Sequence, residues 1–375
     1  MIKEVLLAGG TRTAIGSFMG ALAEVPAPKL GSIAIQAALK RSGLDGGQVD
    51  EVIFGNVIGA GLGQNVARQA SIGAGIPTSV GATTVNKVCG SSLKAVMLAA
   101  QAIQCGDAGL IVAGGTENMS RAPYLLDKAR TGYRMGDGQL IDSMIRDGLW
   151  DVYNNLHMGT CGDRTAEKCA FSRQDQDDFA VASYQRARKA QQEGLLADEI
   201  APVEIPSRKG TLVVDQDEEP QRFEEAKLRA LKPAFGPNGT VTAGNASSIN
   251  DGAAAIVVAS AEKASALKLP VQAKVLGYCT HSGEPEWFTL APVCAIDKLL
   301  HQLGLEVADV DLFEINEAFS VVPMAAIKDL RIPHEKVNVF GGAVAMGHPI
   351  GASGSRVLVT LVNALKHRDG RIGVA

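Results

Sequence analysis

The chain has 375 residues, of which 46% are hydrophobic and 20% are charged, and its formal net charge is −4. This length indicates two or three domains, and the charge gives no sign of the basic surface that binds nucleic acid or anionic membranes. No stretch approaches the roughly 20 apolar residues of a membrane span. Six cysteines without a Cys-x-x-Cys pair favour free thiols over disulfides or a metal site. We therefore expect a protein of a reducing compartment, the cytoplasm, that binds no nucleic acid, membrane or metal ion.

Strands and helices alternate through the first part of the chain. Apolar runs predict strands over residues 5–10, 49–57, 82–88 and 109–115. The spacing of apolar residues predicts helices over 30–42, 65–74 and 93–103, and Arg12-Thr13-Ala14-Ile15-Gly16 is predicted as a loop. This alternation is typical of a mainly parallel sheet with helices on both faces.

A more polar, loop-rich segment follows the strand that ends near residue 115. It runs from Thr116 to about Ser248 and contains predicted helices over 140–149 and 173–193. The run from Gly252 to Ala259 then returns to the pattern of a buried strand. We therefore predict that residues 119–248 are inserted between two strands of the first sheet.

The last third of the chain reads as a second α/β half. Strands are predicted over 271–278, 311–315, 337–340 and 372–375, and helices over 292–303, 318–330 and 354–366. Cys89 and His348 each precede a small-residue turn, a long helix and a strand, so the simplest interpretation is an internal duplication. The predicted domains are residues 1–118 with 249–268, the insertion 119–248, and residues 269–375.

Three short stretches carry side chains suited to chemistry: Cys89, Asn316-Glu317-Ala318-Phe319 and Gly347-His348-Pro349. Each lies just after a predicted strand, where ligands bind in open α/β sheets. Cys89 is predicted at the N-terminus of a buried helix, where free N–H groups and the helix dipole favour a thiolate. A histidine that takes the thiol proton and an asparagine that orients water or an oxyanion would complete a nucleophilic site. Alternatively both Cys89 and His348 are structural, since cysteine is often simply buried.

A series of short motifs, in this order, closely resembles the thiolase family over essentially the whole chain. They are Arg12-Thr13-Ala14-Ile15-Gly16, Asn86-Lys87-Val88-Cys89-Gly90-Ser91, Gly114-Gly115-Thr116-Glu117-Asn118-Met119-Ser120, His157-Met158-Gly159, Ala243-Gly244-Asn245-Ala246-Ser247 with Asn250-Asp251-Gly252, Asn316-Glu317-Ala318-Phe319 and Gly347-His348-Pro349-Ile350-Gly351. The resemblance implies an α/β fold of two duplicated thiolase-like halves in five α-β-α-β-α layers. It also implies that the insertion is a loop domain that covers coenzyme A.

The resemblance implies a role for each of the three polar residues. Cys89 is the nucleophile that carries the acyl group, and its backbone N–H contributes to a second oxyanion site. His348 activates Cys89 and helps to stabilise the thioester oxygen, while Asn316 holds a water molecule in that same oxyanion site. Matching positions for coenzyme A contacts are Leu149, His157, Met158, Arg222, Phe235, Ala243, Ser247, Ala318 and Phe319.

The implied reaction is the Claisen condensation of two acetyl-CoA to acetoacetyl-CoA and CoA, or the reverse thiolysis, through acyl-Cys89. His157-Met158-Gly159 resembles the short-chain, acetoacetyl-CoA branch, which implies a homotetramer. Coenzyme A thioesters are substrates, so no cofactor is expected. Phe288 is bulkier than the methionine common there in the family, which leaves the acyl preference open. Basic residues of the insertion either attract the phosphates of coenzyme A or form a solvated charged face: Arg208, Lys209, Arg222, Lys227, Arg229 and Lys232.

The resemblance is incomplete at the end of the sequence. Thiolases use a second cysteine, in a Cys-x-Gly motif that follows a Gly-Val-Ala strand, to remove or return the α-proton. The sequence ends on such a strand at Gly373-Val374-Ala375, and no other cysteine has a matching context. We therefore expect a C-terminally truncated thiolase that acetyl-CoA acylates but whose carbon–carbon step is impaired. The alternative is an inactive or acylation-only acyl-CoA binder.

Overall fold

A large mixed β-sheet lies at the centre of the fold in this computed structural model, which describes residues 3–208 and 210–375. The strands are β1 (Val5–Thr13), β2 (Gly16–Ser17), β3 (Glu51–Gly55), β4 (Gly81–Val85), β5 (Leu110–Asn118), β6 (Tyr124–Leu125), β7 (Ile141–Asp142), β8 (Trp150–Asp151), β9 (Leu156–His157), β10 (Ile200–Ala201), β11 (Val203–Ser207), β12 (Gly210–Val214), β13 (Asn250–Ser260), β14 (Val271–Lys274), β15 (Leu312–Phe313) and β16 (Gly373–Val374). The α-helices are α1 (Ala27–Ser42), α2 (Val66–Gly73), α3 (Ser91–Cys105), α4 (Met158–Lys168), α5 (Arg173–Gln192), α6 (Glu225–Ala230), α7 (Ala261–Ala266), α8 (Ala291–Leu303), α9 (Val321–Leu330), α10 (Ala343–Met346) and α11 (Ser353–His367).

The strand order of the central sheet is β10-β1-β13-β5-β3-β4, with β2 attached to β13 and β14 to β1. Strands β3, β4 and β5 are parallel, but β13 runs antiparallel to both β5 and β1. The prediction of a mainly parallel sheet is therefore wrong at its centre, because β13 returns from the inserted segment directly beside β5. Asp251 pairs with Asn118, so the two ends of that segment meet at neighbouring strand ends.

Helices cover both faces of this sheet. Because successive strand residues point to opposite faces, Val112 of β5 packs in one core with Leu30 of α1, while Ile111 packs in another core with Val96 of α3. Helix α11 lies beside α3 and also contacts β13. Burial of each such aliphatic side chain contributes about 1.5–3 kcal/mol, so these layers hold the sheet and position the ends of its strands.

The segment Val88–Cys105, which contains α3, is long and apolar enough to cross a membrane by length and composition alone. In the fold this helix packs against β3, β5 and α11, as a core helix does. The expectation that the protein binds no membrane stays a prediction.

The second half is built on a smaller core around β15. Phe313 of β15 packs in this core with Ile296 of α8 and Val322 of α9, and α4 of the inserted segment contributes Ala166. Strand β15 pairs in parallel with β16. The inserted segment therefore packs against the half of the molecule that carries Asn316.

Residues 337–340, predicted as a strand, do not form one. Asn338 has a left-handed φ of 48°, and its side chain accepts a hydrogen bond from Ile315 N and donates one to Ile315 O. The side-chain amide thus takes the place of a backbone partner, and Val337 forms an isolated bridge with Phe313.

Other predicted elements are shorter or of another type. The strand predicted over 271–278 ends at Lys274, the strand predicted over 311–315 has two residues, and the helix predicted from Ala318 begins at Val321. Residues 140–149 contain β7 and the π-helix Met144–Leu149 instead of an α-helix.

Arg12, predicted in a loop, lies in β1 and is fully buried. Its guanidinium donates to Asp217 at 2.7 and 2.9 Å and to Glu199 at 2.6 Å. Burial lowers the pKa of Arg12, but the two carboxylates raise it above its usual value. This ion-pair group fastens the segment around β10–β12 to the central sheet.

Candidate active site

Cys89 lies on the turn that joins β4 to α3. The Ser91 hydroxyl accepts a hydrogen bond from Lys87 N at 2.8 Å and donates one to Val88 O at 2.5 Å. Val88 has a left-handed φ of 48°, which is strained for a β-branched residue. The turn holds the cysteine directly before the helix, as the sequence predicted.

The surroundings of Cys89 are apolar. Its half-buried side chain packs against a cluster formed by Val57, Ile58, Met119, Met144 and Ile350. Burial raises the pKa of the Cys89 thiol to about 12; a backbone N–H opposes this rise and the charge of Glu117 adds to it. Desolvation of the thiolate therefore opposes, and in the free protein outweighs, the favourable effect of the helix N-terminus. At neutral pH Cys89 is a thiol that needs a base.

His348 lies on a buried turn between α10 and α11. Its backbone N–H donates to Asn250 Oδ1 at 2.9 Å. Gly347 has a φ of 107°, and a Cβ there would lie 2.3 Å from the Asn250 side chain, so this position requires glycine. Burial and the charge of Arg356 lower the pKa of His348 to about 3. The imidazole is therefore neutral at pH 7 and able to accept a proton.

Asn316 and Ser353 contact the two ring nitrogens of His348. Asn316 Nδ2 lies 3.3 Å from His348 Nε2, and Ser353 Oγ lies 2.6 Å from His348 Nδ1. Within residues 3–208 and 210–375, Asn316 Oδ1 is buried and finds no hydrogen-bond partner. A buried oxygen of this kind is normally satisfied by an ordered water molecule, which fits the role that the resemblance implies for Asn316.

The structure brings the Cys89 turn and the His348 turn together. Ile350, two residues after His348, belongs to the apolar cluster against which Cys89 packs. Leu149, a predicted coenzyme A contact at the end of the π-helix, packs on the same cluster. The predicted nucleophile, base and one ligand contact therefore share one small region.

Glu117, near the end of β5, is a fully buried carboxylate beside these turns. Its four hydrogen-bond donors, at 2.8–3.2 Å, are Asn56 Nδ2, Val57 N, Ile58 N and Gly351 N. Burial raises the pKa of Glu117 to about 7, although these donors lower it in part. Glu117 thus ties the turn that carries His348 to the loop after β3.

Aromatic side chains of the inserted segment and the second half form one wall. His157 stacks on Phe235 with 4.6 Å between ring centroids, Phe235 meets Phe319 edge to face at 6.2 Å, and Phe319 meets Phe288 at 6.4 Å. Met158 packs on the same core, and burial lowers the pKa of His157. This aromatic wall suits apolar contacts with a thioester ligand.

The remaining predicted contacts lie in different surroundings. Ser247 N donates to Ala318 O at 3.0 Å, which joins these two predicted positions directly. Ala243 and Arg222 are exposed, and the Arg222 guanidinium lies 3.7 Å from Glu218. The structure therefore places Arg222 in a surface ion pair and not in the aromatic wall.

Two basic residues of the insertion are paired with their own neighbours. Lys227 lies 2.7 Å from Glu224, and Arg229 lies 2.7 Å from Asp178. These contacts favour the solvated, ion-paired interpretation for both. Lys209 lies outside the described residues.

Sequence reasoning gave no role to Glu117, Asn250 or Ser353. The available signal was their position, because the first two lie in motifs that resemble the family and Ser353 lies in the turn after His348. A polar residue inside a buried run indicates a hydrogen bond that the fold requires.

Comparison with known proteins decides the family. A family model of the thiolase N-terminal domain matches residues 5–262, and one of the thiolase C-terminal domain matches residues 269–375. The chain belongs to the thiolase family.

This thiolase is 54% identical to acetyl-CoA acetyltransferase 2 of Arabidopsis thaliana, over 99% of its own length and 93% of that protein. It is 52% identical to acetyl-CoA acetyltransferase of Pseudomonas aeruginosa, over 100% of its own length and 96% of that protein. The crystal structure of the Acat5 thiolase from Ascaris suum in complex with coenzyme A matches with a TM-score of 0.92 and 46% identity, covering 97% of this thiolase and 94% of that chain. The predicted thiolase-like α/β fold is confirmed.

Proposed function

We propose that this thiolase is an acetyl-CoA acetyltransferase, which condenses two acetyl-CoA to acetoacetyl-CoA and CoA and catalyses the reverse thiolysis. The observation that carries this proposal is a buried, neutral His348 that contacts Asn316 and lies on the same turn as Ile350, a member of the apolar cluster against which Cys89 packs. The names of the Arabidopsis and Pseudomonas relatives support this choice of substrate.

Acylation begins as the Cys89 thiol gives its proton to His348 Nε2. Cys89 Sγ attacks the thioester carbonyl carbon of acetyl-CoA, whose oxygen becomes an oxyanion. The C–S bond to coenzyme A breaks, and the departing thiolate takes the proton back from His348, which leaves acetyl-Cys89. Because the pKa values of Cys89 and His348 are about 12 and about 3, the proton moves only as the carbonyl is attacked.

The carbon–carbon step uses the enolate of a second acetyl-CoA. Its α-proton is poorly acidic, so the enolate oxygen needs fixed donors in a site that excludes water. His348 Nε2, which is free of its proton again after acylation, takes the α-proton, and the new Nε2–H and a water molecule held by Asn316 then donate to the enolate oxygen. The enolate carbon attacks the carbonyl of acetyl-Cys89, the C–S bond to Cys89 breaks, and acetoacetyl-CoA leaves. His348 returns the α-proton to the departing Cys89 thiolate, which restores the Cys89 thiol and the neutral imidazole.

The aromatic wall and its neighbours bind the coenzyme A thioester in this proposal. The contacts are Leu149, His157, Met158, Phe235, Ala243, Ser247, Ala318 and Phe319, with Arg222 at the rim. Coenzyme A is a substrate and a product, so the chemistry needs no resident cofactor.

Turnover of acetoacetyl-CoA with CoA tests the proposal. The purified protein should convert acetoacetyl-CoA to acetyl-CoA, as measured by chromatography of the thioesters; an impaired carbon–carbon step lowers this rate but does not abolish it. His348→Asn should lower the rate at least about 100-fold, the usual range for loss of a general base. His301→Asn, which changes an exposed histidine of α8, is the matched control and should keep full activity. A folded protein that is acetylated but never turns over would favour the acylation-only alternative and overturn the activity.

We also propose a homotetramer in the cytoplasm. The segment that joins and flanks β6 and β7 exposes large apolar side chains, with Tyr124 64%, Met135 97% and Leu140 65% exposed. Such exposed apolar groups mark interaction surfaces, and six free thiols fit a reducing compartment. Light scattering should give the mass of four chains, and cell fractionation tests the compartment. A monomer that remains fully active would contradict the assembly.

A further inference from the structure

Ser353, the first residue of α11, contacts the side of His348 that faces away from Asn316. Its Oγ lies 2.6 Å from His348 Nδ1 and 3.0 Å from Pro349 O, and the serine is 1% exposed. Both of these contacts are buried, so water does not compete for them. The hydroxyl therefore keeps a fixed contact with His348 Nδ1.

Pro349 O offers the hydroxyl hydrogen a partner, beside the backbone N–H groups of Ala352 and Ser353 that it also accepts. Pro349 O is a carbonyl and only accepts, so Ser353 can donate to Pro349 and accept from His348 Nδ1–H at the same time. On the opposite side of the ring, Asn316 Nδ2 faces Nε2 as a donor. We propose that Ser353 is a positioning residue that holds His348 as the Nδ1–H tautomer, with the Nε2 lone pair directed into the site.

This assignment rests on the proposed function, in which His348 Nε2 takes the Cys89 proton. After that transfer the imidazolium carries hydrogen on both nitrogens, and Ser353 Oγ still accepts from Nδ1 without any rearrangement. The opposite arrangement has Ser353 donating to Nδ1. That arrangement would place the hydrogen on Nε2 and leave no lone pair there for the thiol. It would not leave Pro349 O without a donor, because Ala352 N and Ser353 N both donate to it, so the two arrangements differ in the state of His348 and not in the state of Pro349.

Nitrogen-15 NMR of histidine-labelled protein distinguishes the two arrangements. The His348 signals are identified as those lost in His348→Asn. At pH 7 the wild type should show a protonated Nδ1 and an unprotonated Nε2. Ser353→Ala should show a mixture of both tautomers, and Ser353→Thr, which keeps the hydroxyl, should restore the wild-type pattern. A protonated Nε2 in the wild type, or an unchanged pattern in Ser353→Ala, would overturn the proposal.

Acetylation kinetics give a second readout. Ser353→Ala should slow acetylation of Cys89 by about 10- to 100-fold, while the Kd for CoA changes less than about twofold. Ser355→Ala is the matched control, because Ser355 is also buried in the first turn of α11 but bonds to Ala254 O and Ala352 O. Equal slowing in both serine variants would show a general packing effect and overturn the assignment. A wild type that is never acetylated would instead defeat the proposed function, and the NMR result would still test the tautomer.

Discussion

Asn316 Nδ2 lies 3.3 Å from His348 Nε2, although the two residues are 32 positions apart and lie on different turns of the second half. Each turn has its own anchor. Asn338 holds both backbone groups of Ile315, directly before Asn316, and Asn250 holds the backbone N–H of His348. The contact therefore joins two independently fixed turns, and the amide oxygen, Asn316 Oδ1, remains available for a water molecule.

Asn316→Ala should lower kcat of thiolysis by about 10- to 1000-fold with little change in KM. The reason is that the amide holds a donor for the oxyanion, which forms only along the reaction. Steady-state kinetics with acetoacetyl-CoA measure this effect. Asn363→Ala, which removes a buried amide bonded to Glu199 elsewhere on α11, is the control. A similar kcat for Asn316→Ala and wild type would contradict the assigned role.

Alkylation of free Cys89 by iodoacetamide should be slow at pH 7 and should still rise with pH above pH 9. Burial raises the pKa of this thiol to about 12, so the reactive thiolate increases about tenfold per pH unit up to that value. Peptide mass spectrometry separates Cys89 from the exposed Cys105, which serves as an internal control. A Cys89 rate that levels off below pH 8 would show an activated thiolate in the free protein.

His348→Asn should remove part of the acid sensitivity of the fold. The folded protein holds the pKa of His348 at about 3, against 6.5 for the ordinary group, so the unfolded chain binds this proton more readily. The contribution of the neutral His348 to the unfolding free energy of the wild type is fully present above pH 6.5 and is lost as the pH falls towards 3. The difference in unfolding free energy between wild type and variant, from urea titrations, should change by up to about 1.4 kcal/mol per pH unit in that window. A difference that does not vary with pH would contradict a buried neutral imidazole.

Phe288→Ala should widen the acyl range. The ring centroids of Phe288 and Phe319 lie 6.4 Å apart in the aromatic wall. Removal of the Phe288 ring therefore opens space beside Phe319, which follows Asn316 by three residues in the chain. We expect kcat/KM for a longer 3-ketoacyl-CoA, relative to acetoacetyl-CoA, to rise about tenfold, the usual effect of one or two methylenes in an apolar pocket. Phe18→Ala, at an exposed position, should leave the ratio unchanged. An unchanged ratio in Phe288→Ala would place Phe288 outside the acyl pocket.

Local pattern was enough for the long elements and for the turns that carry Cys89 and Asn316, whereas the turn of His348 follows α10 and not the predicted strand. The apolar run at 109–115 and the helical spacing at 173–193 became β5 and α5, because their burial follows from their own side chains. Arg12 could not be placed in this way, since its partners Glu199 and Asp217 lie 187 and 205 residues away. The direction of β13 likewise depends on where the inserted segment returns the chain.

The protonation state of Cys89 could not be predicted from the sequence for a related reason. The helix N-terminus is visible in the sequence, but the apolar cluster that outweighs it comes from four separate segments of the chain. The left-handed Asn338, which replaces a predicted strand by a side-chain pairing with Ile315, also depends on a contact across the fold.

Transfer of one acetyl group to Cys89 is the central claim, and intact-mass spectrometry after incubation with acetyl-CoA measures it directly. The account predicts an added mass of one acetyl group, located by peptide mapping on the peptide that contains Cys89, and no such addition in Cys89→Ser. Cys105→Ser, which removes an exposed thiol from the other end of α3, should be acetylated like the wild type. A folded wild type without an acetyl group, or with one on another cysteine, would contradict the account.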